Sequence, residues 1–160
     1  MRGRWLAFWV VFLLWAISPS HARVISLYGG SVSANLPGGT KIKRQQNGYI
    51  FLLRPLNGFS PNVNVTLQPY RSGLRPYAAL SKRQFRRLGF NVLHQRFFGR
   101  AQAWDVEYTG IIGNRVLHFY ARAFKVGNGV LLWTATIPDD QWDSKPADEL
   151  IDIISSIKFP

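Results

Sequence analysis

The stretch Ala103-Trp-Asp-Val-Glu-Tyr-Thr-Gly110, the turn Gly110-Ile-Ile-Gly-Asn114 and the return Arg115-Val-Leu-His-Phe-Tyr-Ala-Arg-Ala123 read together as a β-hairpin. Apolar and polar residues alternate along both arms, the period of strands with one buried face. Closing the turn with Ile112 opposite Arg115 puts Trp104, Val106 and Tyr108 on one face with Ala123, Ala121 and Phe119. The same register sets Asp105 against Arg122 on the other face as a structural ion pair. A one-residue slip would break up both sets, so each supports the other. The strands extend over Ala101 to Ile112 and Asn114 to Val126. A second turn, Gly127-Asn-Gly129, leads into a third strand from Val130 to Ile137, its Asn-Gly pair tolerating positive φ.

Outward from this meander, Phe90 to Phe98 is a further strand, and the period changes before it. From Tyr77 to Leu88, Tyr77, Ser81, Phe85 and Leu88 fall on one side at about 100° per residue. Lys82, Arg83, Arg86 and Arg87 fall on the other, and Gly89 supplies a C-terminal stop. Nearer the N-terminus, Gly30 to Pro37 and Tyr49 to Arg54 are short strands, separated by Pro37-Gly-Gly and the basic Lys41-Ile-Lys-Arg44. Val63, Val65 and Leu67 alternate with Asn64, Thr66 and Gln68 in a third strand. At the C-terminus Ala147, Leu150, Ile151, Ile154 and Ile157 have helical spacing behind Ser144 as N-cap. Strands, helix, four strands and helix make an α+β fold: a central antiparallel sheet of about six to seven strands flanked by helices.

These residues resemble the PsbP/DcrB-like superfamily. The resemblance is carried by Ala103 to Gly110, the Gly-Asn-Gly turn, Leu131-Leu-Trp-Thr-Ala-Thr-Ile-Pro138, Gln141-Trp142 and the closing Ile153-Ile-Ser-Ser-Ile-Lys-Phe159. It covers about the last 60 residues, and Ala34-Asn-Leu-Pro-Gly-Gly39 with the Leu80 to Leu88 helix follows the family's order upstream. It implies an α-β-α sandwich used mostly for binding and accessory roles: an extrinsic photosystem II subunit, a nuclear-import factor, envelope proteins and secretion chaperones. It brings no catalytic residues, and it does not account for the charge of this chain.

That charge is one-sided along the sequence. Residues 23–104 hold thirteen Lys and Arg and no acid, whereas all eight acids follow from Asp105 onward. The formal net charge is +12 over 160 residues, and 47% hydrophobic content excludes a disordered polycation. Residues 1–22 read as a secretory signal: Arg2 and Arg4, an apolar run from Trp5 to Ile17, then Ser18-Pro-Ser-His-Ala22. Cleavage after Ala22 would export residues 23–160 as one domain, periplasmic or secreted. Those thirteen apolar residues give a helix of about 20 Å against a hydrocarbon core of roughly 30 Å, so a retained anchor is the weaker reading. With no cysteine, the chain has neither disulfides nor thiolate chemistry.

The residues expected to meet a partner are Lys82, Arg83, Arg86 and Arg87 on the helix, with Arg71, Arg75, Arg96 and Arg100 nearby in sequence. Guanidinium and ammonium groups unaccompanied by Glu suit phosphate or carboxylate; a solvated helix face, with Arg86 and Arg87 serving the helix dipole, is the competing explanation. An export signal turns the expected partner from nucleic acid toward an anionic envelope surface: a lipid head group, with peripheral membrane association, a phosphorylated polymer or an acidic protein. A chaperone or adaptor holding an apolar segment in a sheet groove, around Trp104 and Trp133, is the alternative.

Catalysis has little support. His94 and His118 lie on strands without a nucleophile at motif spacing, and an envelope hydrolase built on His118 or the acids is disfavoured. Asp139, Asp140 and Asp143 lack an EF-hand spacing and suit a turn better than a metal. No phosphate loop occurs, and no cofactor is implied. Asn64-Val65-Thr66 is a glycosylation sequon.

Overall fold

Nine strands and two helices follow one another in the computed structural model, which describes residues 22–99 and 102–159. In chain order they are β1 (Arg23–Leu27), β2 (Val32–Leu36), β3 (Lys41–Gln45), β4 (Gly48–Leu52), β5 (Asn62–Pro69), α1 (Leu74–Arg87), β6 (Asn91–Phe98), β7 (Ala103–Ile112), β8 (Arg115–Val126), β9 (Gly129–Pro138) and α2 (Lys145–Ser155). A 3-10 turn, Asp139–Gln141, joins β9 to the segment before α2. Seven strands form one antiparallel sheet in the order β3-β4-β5-β9-β8-β7-β6, and β1 pairs with β2 in a separate ribbon. The leader-like residues 1–21 and Arg100 lie outside the described residues.

The hairpin register is the one read from the sequence. Ile112 pairs with Arg115, Trp104 with Ala123, Val106 with Ala121, Tyr108 with Phe119, and Asp105 with Arg122. Gly113, at φ 63°, takes the left-handed conformation that the two-residue turn requires.

Each helix covers half of one sheet face. On the first face α2 and the β1-β2 ribbon lie over β4, β5 and β9, where Phe51, Val63, Val65 and Trp133 are 0% exposed against Leu150 and Ile154. On the second, α1 covers β6, β7 and β8, and Leu74, Tyr77 and Ala78 pack on Trp104, Val106, Phe119 and Ala121. The aromatic stack Phe85–Tyr108–Phe119 lies under this helix with ring centroids 4.3 and 4.7 Å apart. Burying side chains of this size contributes about 1.5–3 kcal/mol each, and no disulfide supplements it.

Several elements differ from the sequence reading. The basic segment read as a spacer is strand β3, exposed at every residue. An edge strand wet on both faces has no apolar alternation to reveal it, and Lys on such an edge discourages unwanted pairing. The α1 helix starts at Leu74, three residues earlier than read, because Pro76 sits in its first turn, where no amide donor is needed. Leu88, read on the core side, is 65% exposed, since it lies past the last helical residue. Ser144 stands at the N-cap of α2, but its hydroxyl donates to the Gln141 carbonyl rather than capping the helix. The sequon asparagine, Asn64, lies in mid-sheet between Ile50 and Thr134.

Candidate partner-binding face

Register converts the charge block of the sequence into sidedness. Asp105 and Glu107 pair with Arg122 and Tyr120, which pair in turn with Trp133 and Ala135 on the α2-covered face. The other six acids, Asp139, Asp140, Asp143, Asp148, Glu149 and Asp152, lie in α2 or in the connection leading to it. The face that carries α1 therefore has no acid on its strands or its helix among the described residues. Its cations include Arg75, Lys82, Arg83, Arg86 and Arg87 on α1, and Lys41 and Lys43 of β3, whose partners Leu52 and Ile50 continue across to Thr136 and Thr134.

The α1 cations are held by little except their backbone. Arg83, Arg86 and Arg87 are exposed and Lys82 is half-buried; among the described residues none of the four is in an ion pair. The helix has no acid in its first turn, while Arg86 and Arg87 occupy the last turn, where the dipole favours cations. Arg75 lays its guanidinium 4.9 Å from the centre of the Phe97 ring. Arg71 is exposed in the loop before α1. Six of the eight expected contact residues thus lie on α1 or in the loop that leads into it.

Arg96 does not join them. It pairs with Asp105 across β6 and β7 on the opposite face, with its guanidinium 4.1 Å from the Phe98 ring centre. Alternation along β6 causes this, since Phe97 takes the core side. There Asp105 is 5% exposed and accepts from Arg122 Nε at 2.7 Å, Arg122 Nη2 at 2.8 Å and the Tyr120 hydroxyl at 2.6 Å. The hydrogen bonds to Asp105 raise the Arg122 pKa against the opposing effect of burial. Burial, followed by the bond to Asp105, pushes the Tyr120 hydroxyl up to about 12.

His118 is 4% exposed, with Nδ1 2.9 Å from Asp139 Oδ1 and Nε2 2.9 Å from Glu107 Oε1. Trp142 stacks on the imidazole at 3.7 Å between centroids. Sequence reasoning missed this cluster, which gathers residues 107, 118, 139 and 142 from two strands and the β9-to-α2 connection. It supplies the carboxylate neighbours that a catalytic histidine needs, but both ring nitrogens are engaged and the ring is closed off from solvent. His94 is exposed on β6. Among the described residues no group of three or more metal-ligating side chains is placed to hold a metal.

Neither half of the sheet that the helices leave open is continuously apolar, although the half beyond α1 includes the half-buried Ile50 and Leu52. Beyond α1 it presents Asn62, Asn64, Thr66 and Thr134; beyond α2 it presents Arg96, Asp105, Glu107 and Tyr120 around a shallow depression of about 330 Å³. Trp104 and Trp133, expected in a groove, are 1% and 0% exposed inside the two cores.

An antiparallel sheet with a helix on each face defines an α+β scaffold, here with one side free of acids among the described residues. Solved structures with this architecture include the Ran-binding protein Mog1p of Saccharomyces cerevisiae, at a TM-score of 0.64 and 9% identity over 88% of this chain and 96% of that one. Cyanobacterial PsbP from Synechocystis matches at 0.65 and 13% identity, covering 91% and 96%. LpqN of Mycobacterium tuberculosis, involved in cell envelope biogenesis, matches at 0.61 and 11% identity, covering 88% and 91%. No protein-family model matches the chain, and no curated protein matches it in sequence. The chain has the PsbP/Mog1/DcrB-like fold.

Proposed function

We propose that this chain is an exported, non-catalytic binding module that docks its α1 face on an anionic partner at the cell envelope. One observation carries this reading: among the described residues, a fold face without a single acid, whose helix holds Lys82, Arg83, Arg86 and Arg87 free of internal ion pairs. The helix dipole accounts for Arg86 and Arg87 in the last turn but not for Lys82 and Arg83; unpaired and largely exposed, the four sum to a field that attracts a polyanion. The signal-like residues 1–22 favour a partner outside the cytoplasm, where phospholipid head groups, phosphorylated polymers and acidic proteins supply the negative charge. The envelope role of LpqN is consistent with this setting.

The rival readings have less support. An adaptor for apolar segments needs an uncovered apolar groove, and on the open half beyond α1 the half-buried Ile50 and Leu52 alternate with Asn62, Asn64, Thr66 and Thr134 rather than forming one. A hydrolase needs a free imidazole nitrogen beside a nucleophile, and His118 has both nitrogens on carboxylates. Retention on an envelope membrane fraction tests the proposal. Binding is expected to fall steeply with salt and to be lost in a Lys82→Glu/Arg83→Glu/Arg86→Glu/Arg87→Glu variant. Retention indifferent to both changes would refute it.

A further inference from the structure

We infer that the docking partner of this face is an anionic phospholipid bilayer, and that the β7-β8 hairpin tip enters it as an aliphatic wedge beside the cationic end of α1. The inference rests on the proposed docking of the α1 face and names its partner. Four aliphatic side chains stand out at one end of the sheet: Ile111 at 69% exposed, Ile112 at 52%, Val116 at 49% and Leu88 at 65%. Register divides them between the two faces of the tip: Ile111 and Val116 share the parity of Asp105 and Glu107, whereas Ile112 lies on the face that carries α1 and Leu88, so the tip is apolar on both sides. Ile111 pairs with Val116 and Ile112 with Arg115 across the Gly113-Asn114 turn. Phe90, two residues after Leu88, lies so close to Gly110 that a Cβ there would meet its ring at 2.2 Å. The end of α1 is thereby held against the base of the hairpin.

Single exposed aliphatics are ordinary, but three around one turn, with Leu88 at the neighbouring helix end, are not. In water the tip gains nothing from Ile at positions 111 and 112, where a two-residue turn would accept polar neighbours equally well. Its surroundings supply the second requirement for an interfacial anchor. Arg86 and Arg87 precede Leu88, and Arg115 flanks the turn with its guanidinium 5.8 Å from the Phe59 ring centre, so cations adjoin the apolar tip, the combination an anionic head-group layer favours. A shallow wedge with a basic collar matches the head-group to acyl boundary, where apolar burial and charge attraction add. The acids at this end, Asp139 and Asp140, line a cavity of about 520 Å³ with Arg115 and Val116, and Asp139 is engaged by His118. An acidic protein would satisfy the arginines but has no need of bare isoleucines on a turn.

The test uses phosphatidylethanolamine vesicles with and without phosphatidylglycerol, and three chains: wild type, Ile111→Ser/Ile112→Ser and Ile112→Trp. Both changes are at exposed positions, and unchanged thermal unfolding confirms that the variants fold. Wild type is expected to sediment with anionic vesicles only. The double-serine chain should bind about tenfold or more weakly at equal salt. Tryptophan emission of the Ile112→Trp chain should shift to the blue on vesicle addition by more than that of wild type, in which Trp104 and Trp133 are already buried. Salt-dependent vesicle binding with neither serine effect nor blue shift overturns insertion and leaves electrostatic docking in place. Salt-dependent retention on the envelope fraction without vesicle binding overturns the bilayer in favour of a protein or polymer. Absence of both removes the docking reading itself.

Discussion

Replacing Asp105 by Asn preserves the side-chain shape and removes one charge, which isolates the contribution of the ion pair that the hairpin register creates. Asp105 is 5% exposed and accepts three hydrogen bonds, while the Arg122 side chain is 20% exposed. Breaking a buried pair by removing one partner costs about 3–5 kcal/mol, because the remaining charge is left uncompensated. Arg122 is better placed than that limit: Nη2 keeps the Tyr120 hydroxyl at 2.9 Å, and the guanidinium lies 5.7 Å from the Phe98 ring centre with some water access. The expected loss is therefore about 1.5–3 kcal/mol, the range of hydrogen bonds to charged groups. Chemical denaturation of wild type, Asp105→Asn, Arg122→Met and the double variant measures it. The double variant should cost less than the two singles together, by about 1–3 kcal/mol of coupling. A single-variant cost under about 0.5 kcal/mol, or strict additivity, would refute the assignment of this pair as a structural clamp on β7 and β8.

Two further outcomes follow from packing and ionisation. Gly48→Ala should destabilise the protein by at least about 3 kcal/mol, because a Cβ there falls 1.7 Å from the Val65 carbonyl oxygen and forces β4 from β5; an unchanged denaturation midpoint would contradict the β4-β5 register. Stability should also fall above pH 10. Burial raises the Tyr77 hydroxyl from 10.0 to about 12, and burial likewise raises Tyr108 and Tyr120. These groups stay neutral when folded and ionise first when unfolded, so their contribution is complete below pH 10 and lost as pH rises through the folded values. For Tyr77 a shift of that size corresponds to roughly 3 kcal/mol. Unfolding free energies measured from pH 9 to 12 should show the decline, and a flat profile would contradict it.

The parts of this fold that alternate cleanly were legible in the sequence. Trp104, Val106 and Tyr108 against Ala123, Ala121 and Phe119 defined the hairpin because one face is dry and the other wet. The amphipathic α1 was legible for the same reason, with Tyr77 and Ser81 buried beneath Arg83, Arg86 and Arg87. What escaped were features that depend on neighbours distant in sequence. Strand β3 is wet on both sides and carries no alternation. The His118 cluster needs the Asp139 turn to fold back on β8. Proximity along the chain groups Arg96 with the helix, although strand alternation sends it to the opposite face beside Asp105. Charge content was thus readable, but its sidedness emerged only from register.

The sidedness of the charge can be separated from its total by two variants of equal net charge. One reverses Lys82, Arg83, Arg86 and Arg87 on the α1 face; the other reverses Arg44, Arg54, Lys145 and Lys158, which lie toward the α2 side. Retention on the envelope fraction at low salt is then compared with wild type. The first variant should lose binding while the second retains most of it. Equal losses in both would mean that overall charge, and not the acid-free face, governs what this protein meets.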